Sequence, residues 1–198
     1  FSYVTLALIH LLEGFAGQSS TNTVSAVESS LPPVVAIVAF AVVAPVAEEF
    51  IFRRLLLDRV RIFGDGAAIL IGGAAFGLFH GNLNQTLYAF VLGAVFSAIV
   101  LLTNRLRYTI GIHMLINGIS VLTTLMESDL LDYLLACVIL FSICFSVVLF
   151  FVRRKHYTLE PGPLPFSRAE KAHACFTSPW VWVLLVGGLL FSGVSIFL

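Results

Sequence analysis

Charge is scarce in this chain. Lys and Arg together number 11, Asp and Glu 11, and charged residues make up 11% of 198, against 59% hydrophobic and a mean hydropathy of +1.02. A soluble domain of this size does not stay in solution with that balance, so a cytosolic enzyme, a nucleic-acid binder and a disordered linker are all excluded. Cysteine is as sparse. Cys137 and Cys144 fall in one apolar segment and Cys175 in a polar one, which is neither a disulfide framework nor a zinc spacing. All three read as free thiols, two of them packing residues. No internal repeat and no His-Glu-x-x-His run is present. The chain opens on Phe1 rather than Met, so its N-terminus is read as incomplete or processed.

What remains is an all-α, polytopic transmembrane helix bundle of about seven helices, the first partial, forming a single integral membrane domain over 1–198. Residues 1–16 are apolar and 17–30 a Ser/Thr-rich loop without Lys or Arg. A helix from about Pro33 to Ile62 is ~45 Å long, against ~30 Å of hydrocarbon, so it must tilt, kink or protrude. Pro45 supplies a kink three residues before Glu48. Gly64-Asp65-Gly66 turns the chain into a short helix, 67–80, in which Gly73, Gly77 and Gly81 recur every four residues and admit another backbone. Helices over 85–103, 108–126 and 130–152 follow, then a Pro-rich polar loop to Ser178. The last helix covers 180–198, with Trp180 and Trp182 as interfacial anchors. In this arrangement every Lys and Arg falls towards one membrane face, while the opposite loops carry only acids. The positive-inside rule makes the basic face cytoplasmic, stromal or matrix, and the membrane a prokaryotic plasma membrane or an organelle membrane.

One stretch breaks the hydrocarbon pattern: Glu48-Glu49-Phe50-Ile51-Phe52-Arg53-Arg54. An ionisable group at the centre of a spanning helix costs roughly 2.5–3.5 kcal/mol on insertion scales, so it rarely stands there without a partner and a task. Glu49 and Arg53, four apart with Glu on the N-terminal side, are suited to pair on one face. Glu48 lies about 100° further round the helix and must find another partner. His80, His113 and Asn117 also interrupt apolar helices, with Phe76 four before His80 and His113 four before Asn117. Glu48 and His80 each stand 16 residues from Gly64, which places them at one level of an antiparallel hairpin, ~24 Å from the turn. His113 and Asn117 lie only ~11–17 Å along their helix from the Arg105–Arg107 turn, a mismatch of a turn or two. Any one histidine reads more simply as packing. Together the six supply a carboxylate and an imidazole to activate water and donors for an oxyanion.

The runs Glu48-Glu49-x-x-x-Arg53, Phe76-x-x-x-His80 and His113-x-x-x-Asn117, in this order, resemble the three motifs of the CAAX-protease and bacteriocin-processing (CPBP, or Abi) family of intramembrane proteases, which includes the type II CAAX prenyl endopeptidases. The resemblance covers residues 31–126, the expected catalytic core. It implies an intramembrane endopeptidase, classed as glutamate-type or as a metalloprotease, that cleaves membrane-associated substrates such as CAAX proteins or leader peptides. Carried onto this chain, Glu48 with His80 activates the water and His113 with Asn117 binds the oxyanion. Glu49 pairs with Arg53, and Phe76 packs beneath His80. A metal-free mechanism is the reading adopted; if Zn²⁺ is held, Glu48, His80 and His113 would hold it. The expected partners are membrane lipids and a peptide or membrane-protein substrate, with no nucleic acid. The competing reading is an inactive scaffold or accessory subunit of a membrane complex. A proton-coupled transporter is disfavoured, because no inverted repeats are present.

Overall fold

The computed structural model describes residues 30–81, 83–126 and 157–194, with Leu130, Leu134, Val138 and Val152. The expected first helix, Glu127 and Asp129, Cys137 and Cys144, and 153–155 lie outside these residues, as does the side chain of Trp180. The described residues form helices and no strand. α1 covers Pro33–Phe63, α2 Asp65–Phe79, α3 Leu83–Thr103, α4 Leu106–Met126, α5 Arg168–Thr177 and α6 Pro179–Val194. Three of these, α1, α3 and α4, are long and apolar enough to cross a membrane. Large apolar side chains such as Val34, Phe50, Leu70 and Leu115 cover the outside, as a surface bathed in lipid requires.

α1 is not a regular helix. Ordinary turns at Pro33–Ala36, Ala44–Glu49 and Leu57–Val60 alternate with wider π-helical stretches at Ile37–Val43 and Phe50–Leu56. Pro45, expected to kink the helix, stands past the end of the first wide stretch, with Ala44 between. There the Ala44 N–H reaches back five residues to the Ala39 carbonyl, and the irregularity that proline imposes is taken up by widening the turn. In the second wide stretch Phe52 and Arg53 both face inward and are buried.

The expected small-residue face forms between α2 and α3. A Cβ on Gly73 would stand 2.9 Å from the Phe90 carbonyl oxygen and one on Gly77 2.7 Å from that of Thr86, so the two backbones touch. Gly81 serves otherwise. It stands past the end of α2 with φ +58°, donating to the Leu78 carbonyl as a helix-ending glycine does. Phe52, Ala75, Phe76 and Ala89, with Leu56, form the core between α1, α2 and α3. α4 packs against the wide stretch and the following turn of α1.

The polar stretch read as loop to Ser178 contains a helix, α5. The Ser167 N–H donates to the Glu170 carboxylate at 2.7 Å and the Glu170 N–H to the Ser167 hydroxyl at 3.2 Å, a reciprocal capping box that starts a helix despite the surrounding prolines. Upstream of it the chain docks on the α1–α2 turn. Asp65 N–H donates to the Glu160 carbonyl, Asp65 accepts from the Glu160 N–H, and Gly64, at φ +100°, admits no Cβ because Pro161 O would stand 2.5 Å from it.

Candidate active site

Three helices bring the polar residues together. Glu48 and Glu49 end the regular turn Ala44–Glu49 of α1, where the register changes and Arg53 enters on the next, wide turn. Glu49 and Arg53 pair through Oε2 and Nε at 3.4 Å, both side chains fully buried. Phe76, Phe96 and Phe52 surround the guanidinium, with ring centroids 4.8, 5.8 and 5.9 Å from Cζ. Their ring faces replace part of the hydration the arginine gives up. None of its nitrogens has a hydrogen-bond partner among the described residues.

His113 on α4 stands between the two glutamates. Nδ1 lies 3.2 Å from Glu49 Oε1, and since a carboxylate only accepts, Nδ1–H donates to it. Nε2 lies 3.7 Å from Glu48 Oε2, beyond direct hydrogen-bond reach. Glu48 Oε2 therefore faces His113 without a hydrogen-bond partner among the described residues, and at 19% exposure Glu48 is the more accessible of the two carboxylates.

His80 ends α2, in electrostatic reach of Glu48, as is His113. Glu48 and His80, equally spaced about Gly64, thus stand near enough for their charges to interact. His80 Nδ1–H donates to the Phe76 carbonyl at 2.8 Å, which leaves Nε2 as the nitrogen free for chemistry. Phe76 touches both imidazoles, with ring centroids 4.9 Å from His80 and 5.6 Å from His113. The offset expected for α4 is closed by side-chain reach: His113 meets the glutamates, while Asn117 extends further back along α1 and donates from Nδ2 to the Phe40 carbonyl at 3.1 Å.

Two participants went unrecognised in the sequence. Phe96 packs on His113 at 5.5 Å and on Arg53, but it is one phenylalanine of 18. The Phe40 carbonyl has no side-chain signature, and its only signal is Pro45 five residues on. A cleft of about 490 Å³ lies elsewhere, at the α1–α2 turn between Asp58, Arg61, Asp65 and the 160–163 segment. Arg61 is already bonded there to Asp65 at 2.9 Å.

The donor set does not fit a metal ion as it stands. Among the described residues no three His, Cys, Asp or Glu side chains are placed to hold one. His113 turns both nitrogens towards carboxylates, while His80, with Nδ1 on a carbonyl, keeps Nε2 open.

Fold and site define a helical membrane protein with carboxylates and imidazoles gathered between its spans. Comparison with known proteins likens this arrangement to a protease core. Residues 30–119 match the family described as "Type II CAAX prenyl endopeptidase Rce1-like", a stretch that holds every residue of the site. The membrane-embedded CAAX protease MroQ of Staphylococcus aureus (strain USA300) is 27% identical over 137 residues, which are 65% of this chain and 56% of MroQ. The matched region is thus little more than half of that relative's length. No solved structure matches. Over this core the chain is similar to CAAX proteases.

Proposed function

We propose that the chain is an intramembrane endopeptidase of CAAX type that hydrolyses a peptide bond with water activated by Glu48 and His80. The observation that carries this reading is the meeting of Glu48, Glu49 and His113, with His80 in electrostatic reach, at the end of the helical turn Ala44–Glu49. Ions so costly to bury are kept where they work. The family match and the name of the relative favour a prenylated CAAX end over a leader peptide or another membrane protein.

A water held between Glu48 and the free Nε2 of His80 gives its proton to Glu48 while its oxygen attacks the scissile carbonyl carbon. The carbonyl oxygen becomes the oxyanion and is met by His113 Nε2–H, whose direction is fixed by the bond from Nδ1 to Glu49. Glu49 acts through His113 and is itself held by Arg53. The second N–H of Asn117 is the further oxyanion donor. Collapse of the intermediate breaks the C–N bond, and the proton on Glu48 passes to the leaving amine. No step is routed through a metal.

The test is to offer purified protein a panel of membrane-tethered peptides, one prenylated at a CAAX end, with and without a strong zinc chelator. The reading predicts cleavage of the prenylated peptide, indifferent to the chelator and reduced by roughly 10²–10⁴ in His80→Ala. Cleavage abolished by the chelator would overturn the metal-free mechanism. A folded wild-type protein that cleaves none of the panel would favour the scaffold reading.

A further inference from the structure

The bond from Asn117 to Phe40 joins α4 to α1 at a position that Pro45 defines. In the wide register of Ile37–Val43 N–H groups bond to carbonyls five residues back, and the last such bond runs from Ala44 to Ala39. The next would run from residue 45 to Phe40, but residue 45 is proline and has no N–H. The Ala44 N–H is spent on Ala39, so no backbone donor from either register serves the Phe40 carbonyl. In a membrane interior an unserved carbonyl is costly, because no bulk water replaces the lost bond. The donor supplied is the Asn117 amide, 77 residues away, at 3.1 Å. A carbonyl accepts only, so the side chain must present Nδ2 to it. The next residue, Gly118, faces Ala41 with room for no more than ordinary contact: a Cβ there would stand 3.8 Å from that of Ala41.

We infer that Asn117 is a positioning residue for α1. It caps the carbonyl that Pro45 leaves free, and so holds the turn carrying Glu48 and Glu49 in register with His113, one helical turn before it on the same face of α4. Pro45 and Asn117 are one device. The proline opens the helix and the asparagine fixes how far it opens. This work is separate from donation to an oxyanion and uses a different N–H of the same amide. As a statement about activity it rests on the proposed proteolysis; as a statement about helix register it does not.

A two-by-two cycle of Pro45→Ala and Asn117→Ala decides it. An N–H restored at position 45 satisfies the Phe40 carbonyl in the wide register, and in a regular α-helix the Ala44 N–H does so. Asn117→Ala should therefore lower the thermal midpoint in detergent on the wild-type background and leave it unchanged on the Pro45→Ala background. This arm needs no substrate. In the prenylated-peptide assay the loss in kcat, roughly 10² for a misplaced catalytic group, should shrink at least fivefold on the Pro45→Ala background with KM unchanged. If Asn117→Ala yields too little folded protein, Asn117→Gln, which moves the donor outward by one methylene, is read in the same cycle and must show the same dependence on Pro45. Equal losses of midpoint on both backgrounds would overturn the inference. Coupling in midpoint with equal losses in kcat would confine Asn117 to stabilising the helix and overturn its positioning of the glutamates. Absence of cleavage in all variants, with the midpoint coupling intact, would instead count against the proteolytic reading.

Discussion

At the scale of single residues the account turns on where each buried charge finds its complement. Arg53 is enclosed by three phenylalanine rings and one carboxylate. Arg53→Ala leaves Glu49 fully buried without its cation and with only His113 as partner, a change that costs about 3–5 kcal/mol where one partner of a buried pair is removed. The expected outcome is a sharp loss of folded protein after detergent extraction. Normal yield with lost cleavage would instead move Arg53 into the chemistry. This is also the scale at which the sequence was most legible. Polar and ionisable residues in a hydrocarbon span stand out because they are expensive, so Glu48, Glu49, Arg53, His80, His113 and Asn117 are all marked as candidates by the sequence. Phe96 could not, since an aromatic in an apolar helix carries no such mark.

At the scale of elements the chain departs from regular geometry in two kinds of place, for different reasons. Inside the bundle, α1 widens beside Pro45 and again at Phe50–Leu56; the first has a sequence cause in the missing N–H, while the second has none that we can identify. Where α2 meets α3, backbone contact leaves no room for side chains. Gly77→Ala should lower the thermal midpoint in detergent, with an overpacking cost of about 1–3 kcal/mol. Gly66→Ala, on the same helix with open space around it, should leave the midpoint unchanged; equal effects would mean that helix propensity and not contact is being measured. α5 lies in a stretch whose prolines, Pro161, Pro163 and Pro165, point to a loop, although Ser167-x-x-Glu170 is its start signal. The Ser167 hydroxyl and then its backbone N–H hold the Glu170 carboxyl below the usual carboxylate range. A group whose pKa is lowered by folding stabilises the fold above its ordinary value and loses that contribution as pH falls through the lowered one. Ser167→Ala should therefore speed amide exchange at Glu170 at neutral pH, and the difference from wild type should narrow in acid. A gap that stayed constant with pH would remove the carboxylate from the cap.

At the scale of the whole molecule, hydropathy sufficed for an all-helical membrane bundle, and the equal spacing of Glu48 and His80 about Gly64 sufficed to pair α1 with α2. The placement of α4 was not legible in the same way, because depth counted along straight helices ignores the reach of His113 and Asn117 and the altered pitch of α1. The central claim is that the two adjacent glutamates divide their work, Glu48 facing water and substrate while Glu49 is spent on Arg53 and His113. The most direct test is the cleavage rate of folded Glu48→Gln against wild type on the prenylated peptide, with Glu49→Gln alongside. The account predicts a Glu48→Gln protein with wild-type yield and thermal midpoint but no measurable cleavage, and a Glu49→Gln protein depleted in folded material. Cleavage at the wild-type rate by well-folded Glu48→Gln would contradict it.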